Sequence, residues 1–247
     1  MGFFDKLFKK QEPVPVTQEI DKRQVPVYPM IKSAEWRGIA HATSQPFVTV
    51  EGQLHLAIVF AQDAGDRFEY ITPPDLQKPG VQENFDRWQG NIDNYPYEIV
   101  LSKAFDNQVA TSSGEDHSAE KILSSAFLAE ACQALKTDKL IISAPRRRCL
   151  MITSYYGDFN LLEDFFRLHF NAWKEDGYGN EVITEMVFLA DKDKVTHAVP
   201  LGFRINVYEK DGQYKLTYST MEDDLFEEVE QINFQNIMER KKIPVTL

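Results

Sequence analysis

The chain is poor in cysteine, in positive charge and in long apolar runs, and each shortage closes off a class of protein. There are two cysteines, Cys132 and Cys149. The first stands in a helical apolar pattern and the second in a strand pattern, with neither CxxC nor zinc-type spacing between them. No disulfide framework follows, and the pair fits a reducing compartment, so buried thiols in a cytoplasmic protein are expected. No apolar stretch approaches the roughly 20 residues that span a bilayer. The first ten residues are too short in apolar content for a secretory signal and lack a small-residue cleavage site. Lys6 stands where a myristoylation motif wants Ser or Thr. Lysine and arginine number 27 against 38 acidic residues, a formal charge of −11, and that balance repels a phosphate backbone and argues against nucleic acid as a partner.

Motifs with a fixed chemistry are missing as well. There is no GxGxxG after a strand, no GxxxxGK[ST], no HExxH, no GxSxG and no EF-hand loop. Neither a catalytic residue nor a metal set nor a cofactor is assigned from the sequence.

What is present is ample apolar material: 43% of the 247 residues are hydrophobic, enough for a sizeable core. Strand-like runs lie at Phe47–Phe60 and Arg67–Ile71 around the turn Asp63-Ala64-Gly65-Asp66. Further strands are expected at Glu98–Ala104, Val109–Thr111, Leu140–Ala144, Cys149–Thr153 and Val182–Ala190, with irregular chain around Pro200. Arg204–Tyr208 and Tyr214–Tyr218 flank Asp211-Gly212, a strong hairpin signal. A short turn or helix is expected at Pro73-Pro74, and a helix at Val81–Ile92. Another carries the period 3.6 from Ala119 to Leu135, with Ser113-Gly114-Glu115-Asp116 as capping chemistry. The strongest helix follows Asp158, its expected N-cap, and buries Leu162, Phe165, Phe166, His169, Phe170 and Trp173 on one face. The acidic stretch Asp224–Met238 reads as a last helix. Strand and helix do not alternate regularly, so the expected fold class is α+β: helices packed on a largely antiparallel or mixed sheet.

The amino-terminal segment is organised differently. Residues 1–10 form an expected amphipathic helix with Phe3, Phe4, Leu7 and Phe8 on one side and Lys6, Lys9 and Lys10 towards water. Residues 11–24, interrupted by Pro13 and Pro15, read as an extended linker, and 25–247 as one domain. A tethered basic amphipathic helix suits docking to a protein partner, which is the leading expectation for function. A membrane surface is a possible alternative, weakened by the small charge, and folding back on its own domain is another. Oligomeric state is not readable.

Three places could carry chemistry. Pro145-Arg146-Arg147-Arg148 puts three guanidinium groups at a hairpin tip, suited to an anion or an acidic surface, or else to one inward ion pair and two solvated side chains. His117 opens a helix beside small residues and could act with the arginines as an acid–base group if the fold brings them together, which would suit an enzyme acting on a phosphorylated or nucleotide-like molecule. His169 lies in an apolar stripe and reads as a packed structural residue.

Several stretches are similar to an uncharacterised bacterial group, the YtpQ-like proteins. They are Phe68-Glu69-Tyr70-Ile71-Thr72, Asn91-Ile92, Asp116-His117-Ser118-Ala119-Glu120-Lys121-Ile122-Leu123, and Pro145-Arg146-Arg147 leading into Cys149-Leu150, within about Leu54 to Thr153. Arg148 departs from the acidic residue expected at that turn. The resemblance implies no activity and carries over no catalytic residue.

Overall fold

Eleven residues from Gln53 to Asp63, rich in branched and apolar side chains, make the central strand of a first antiparallel sheet. In the computed structural model, which describes residues 20–65, 67–174, 180–200, 203–210, 213–220 and 233–247, this sheet holds β1 (Val27–Ser33), β2 (Ser44–Val50), β3 (Gln53–Asp63) and β4 (Phe68–Tyr70). β1 runs along one edge of β3, from Val27↔Gln62 to Ser33↔Leu56, and β2 and β4 follow each other along the other edge. The expected run Phe47–Phe60 is therefore two strands. Glu51 and Gly52 both take positive φ, 48° and 80°, the pair of left-handed residues that a tight two-residue hairpin requires. β1 carries no strict alternation and was not expected from the sequence.

The second sheet is antiparallel throughout. Its strands are β5 (Val100–Leu101), β6 (Val109–Thr111), β7 (Lys139–Ser143), β8 (Met151–Ser154), β9 (Met186–Asp191), β10 (Val195–Pro200) and, past the hairpin β11 (Phe203–Lys210) and β12 (Gln213–Thr220), β13 (Ile243–Pro244). The spatial order is β13-β10-β9-β7-β8-β6-β5. Alternation decides the layering. Leu140, Ile142, Phe188 and Ala190 point into a core shared with Ile58, Phe60 and Phe47 of the first sheet, while Ile141, Val187 and Leu189 join Phe165, Phe166 and Met238 on the opposite face. Phe47 stacks on Phe188 at 5.6 Å across the inter-sheet core. The helices at Phe159–Lys174 and Phe234–Lys241 thus cover one face of this sheet, and the first sheet together with the helix at Ser125–Leu135 covers the other, an α+β fold as expected, with the middle strands buried on both sides.

The helices are α1 (Pro73–Leu76), α2 (Val81–Phe85), α3 (Trp88–Asn94), α4 (Ser125–Leu135), α5 (Phe159–Lys174) and α6 (Phe234–Lys241). The expected helix at Val81–Ile92 is broken between Phe85 and Trp88. The expected helix from Ala119 begins later. Ala119–Leu123 is a 3-10 turn buried at all five residues, and Ser124 is the cap, its side chain accepting the Phe127 N–H at 3.3 Å. Ser113–Asp116 serves another purpose. For α5 the reading holds: Asp158 Oδ1 accepts the Leu161 N–H at 2.9 Å. Pro200, expected in irregular chain, ends β10. Residues 1–10 with Phe3, Phe4, Leu7 and Phe8, the linker up to residue 19 and the acidic stretch before Asn233 lie outside the described residues. Among the described residues no helix is long and apolar enough to cross a membrane.

Candidate functional site

The connection between β7 and β8 carries the three consecutive arginines and sends them in different directions. Arg146 turns inward, buried to 9% exposure. Its Nε donates to the Ala172 carbonyl at 2.6 Å, Nη2 to Trp173 at 2.7 Å and Nη1 to Asn180 at 2.8 Å. The first two of these carbonyls belong to the last turn of α5, where a cation meets both unsatisfied oxygens and the negative end of the helix dipole. Arg146 holds a helix end and does not line the hollow described next.

Arg147 and Arg148 face a polar hollow of about 430 Å³. Asp116 ties them together. Its Oδ1 accepts from Arg148 Nε at 2.7 Å, from Arg148 Nη2, and from Arg147 Nη2 at 3.3 Å. The Arg147 guanidinium also lies 4.2 Å from the centre of the Phe68 ring, a stacked cation. Across the hollow stand Asp63 and Arg67 of the β3–β4 hairpin, and Glu181 closes a further side. Arg67 pairs with Glu69 and Glu181 with Lys32. Arg148 takes φ of 63°, a left-handed conformation that costs any side chain but glycine about 1 kcal/mol. The Gly114 N–H donates to the Arg148 carbonyl at 3.0 Å and helps to hold it there.

Behind Phe68 lies a buried layer of titratable groups. His117 is 2% exposed, stacked on Tyr28 at 4.6 Å and edge-on to Tyr95 at 4.9 Å and Phe68 at 5.6 Å. Burial and then the nearby Arg147 push its pKa down to about 4, and Nδ1 has no hydrogen-bond partner among the described residues. Glu120 is buried too. Its Oε1 accepts the Ile31 N–H at 3.1 Å, Oε2 is unpartnered among the described residues, and burial raises its pKa to about 7. Lys121, fully buried, donates to the carbonyls of Ile92 and Tyr95 and sits 4.5 Å above the Tyr97 ring. It closes the end of α3, and burial lowers its pKa to about 8.

The fold thus brings His117 and Arg147 to one phenyl ring, that of Phe68, and takes Arg146 away. Asp116, read as capping chemistry, is the anchor of the arginines. Arg67, Asp63, Phe68 and Glu181 were not singled out from the sequence. They flank an ordinary turn or a strand end, and no local pattern distinguishes them. His169 is structural as expected: Nε2–H donates to the Glu185 carbonyl at 2.7 Å, so Nδ1 accepts the Ser143 hydroxyl at 2.8 Å. Among the described residues no three His, Cys, Asp or Glu side chains gather to hold a metal ion. No family model, curated protein or solved structure matches this chain.

Proposed function

We propose that the protein is a binding module that receives the phosphate or carboxylate of a small molecule in the Arg147–Arg148 hollow. The observation that carries this reading is the convergence of Arg147 and Arg148 with Arg67, from a separate hairpin, on one polar hollow of about 430 Å³, a size typical of small-ligand sites. Guanidinium forks suit planar oxyanions, and Asp116 holds two of them in place before any ligand arrives. Three of the stretches that resemble the YtpQ-like group, at Phe68, Asp116 and Pro145, come together at this hollow. An enzyme using His117 as acid–base group is less well supported, since that ring is 2% exposed and packed among the rings of Tyr28, Tyr95 and Phe68.

The test is thermal unfolding of the full chain with inorganic phosphate, nucleotides, sugar phosphates and dicarboxylates. A ligand at 100 times its Kd stabilises by about 2.7 kcal/mol, a rise of roughly 5–10 °C in Tm for a chain of this size. Arg148→Gly removes one guanidinium while relieving the left-handed backbone, so the unliganded Tm holds or rises and the ligand-induced shift falls. An undiminished shift in Arg148→Gly and in Arg147→Ala, or no shift with any of these anions, overturns the reading.

A further inference from the structure

A second cleft, of about 610 Å³, opens where the turn after β1 meets the start of β3 and the segment 181–186. Its lining includes the apolar side chains of Trp36, Leu54, Val182 and, from the end of α5, Trp173. Leu54 and Val182 are 36% and 42% exposed, an unusual position for two large apolar side chains in one depression. Its charged lining is acidic, consisting of Glu35, Glu181 and Glu185, and among the described residues no lysine or arginine lines it. Lys32, buried beside it, is held by Glu181 and faces the Trp36 ring at 5.4 Å.

A cleft lined by apolar and acidic side chains recognises a segment that is apolar on one side and cationic on the other. Such a segment belongs to this chain: Phe3, Phe4, Leu7 and Phe8 interleave with Lys6, Lys9 and Lys10. We propose that residues Met1–Lys10 occupy this cleft in cis. Chain length permits it. The described chain starts at Ile20, and the Gln62 side chain, opposite Val27, holds the carbonyls of Lys22 and Val25. The cleft lies at the Ser33 end of β1, roughly 20 Å away along the strand. Residues 11–19 reach up to about 30 Å when extended, and Pro13 and Pro15 favour extension. A linker of this length holds the segment at an effective concentration in the millimolar range, which favours its own cleft over that of a second copy.

The proposal is tested in the full chain carrying Trp88→Phe, where both remaining tryptophans, Trp36 and Trp173, line the cleft. The readout is acrylamide quenching of their fluorescence. Leu7→Ser with Phe8→Ser is expected to raise the quenching constant about twofold, and Lys6→Glu with Lys9→Glu to do the same. Adding Glu35→Lys and Glu185→Lys to the charge-reversed chain is expected to restore the starting value, which a merely misfolded variant would not do. Quenching that none of these changes alters, or that the compensating pair fails to restore, overturns the proposal. So does sedimentation showing that protection of the tryptophans requires a dimer, which assigns the cleft to a second copy. Protection that appears only with phosphatidylserine vesicles assigns the segment to a membrane surface and likewise overturns it.

Discussion

Glu120, His117 and His169 are each buried in a way that penalises their charged forms, yet their contributions to stability run in opposite directions with pH. The two histidines are held down to about 4, against roughly 6.5 in an unfolded chain. Between these values the unfolded state binds protons that the native state refuses. Their contribution is complete above pH 6.5 and lost as pH falls towards 4, about 3 kcal/mol for each. Glu120 is raised to about 7 from an unfolded value near 4.5. It keeps its proton in the native state, so its contribution is complete below pH 4.5 and lost as pH rises through 7. Over these three groups the unfolded state binds about one net proton more from pH 5 to 6, two from the histidines less one for Glu120. Together they contribute a rise in stability of about 1.4 kcal/mol per pH unit. Glu120→Gln keeps the acceptor for the Ile31 N–H and removes the opposing titration. Denaturant unfolding at a series of pH values is expected to show a slope steeper than the parent's by about 1.4 kcal/mol per unit between pH 5 and 6 and the variant to exceed the parent in Tm at pH 7.5. Equal slopes in the two proteins would refute this account of the buried layer.

At the scale of the element, the β7–β8 turn joins a sheet to a helix end through one side chain. Arg146 satisfies two carbonyls at the end of α5 and a third at Asn180, and a polar group left without its partner there costs free energy. Arg146→Ala is expected to lose about 3 kcal/mol, seen as a fall in Tm of roughly 5–10 °C. Arg146→Lys recovers only part of this, because one ammonium cannot reproduce the planar fork. Anion-induced shifts are retained in whichever variant folds, since Arg146 lies outside the hollow. A loss of anion response in Arg146→Lys greater than in Arg148→Gly would place it in the site after all. Read as a string, the three arginines look equivalent. Their division of labour comes from the turn's backbone, with Arg148 alone at positive φ.

Across the whole molecule, the last five residues bind the two sheets to each other. β13 pairs with β10 through Ala198↔Ile243 and His197↔Pro244. Beyond it, the Val245 N–H donates to the Thr196 carbonyl at 3.2 Å and the Thr246 N–H to the Phe47 carbonyl of β2 at 2.9 Å. Ile243 and Val245 pack on the inter-sheet core. Ending the chain after Lys242 is expected to cost about 3 kcal/mol in lost burial and hydrogen bonds. Amide exchange then rises most along β2 and β10, whose edges are uncovered. Uniform exchange across both sheets would show that the strap is dispensable.

Much of this architecture is local in origin. The α+β class, the hairpin through Asp63–Gly65, the β7–β8 pair, the Asp158 cap and the structural place of His169 follow from periodicity, turn residues and capping, forces that act within about ten residues and leave their mark in the order of side chains. The late start of α4 at Ser125 and the strand at Val27–Ser33 were hidden because burial against distant partners overrode the local preference: the 3-10 turn from Ala119 packs between α3 and β1, whereas the break at Glu51-Gly52 is a local turn set by its own left-handed residues. The hollow was half legible. Arginine at positions 147 and 148 marks a basic tip, but Asp116, Phe68 and Arg67 reach it from 30 to 80 residues away in the chain, and only tertiary packing decides which charges meet and which histidine is shut in behind them.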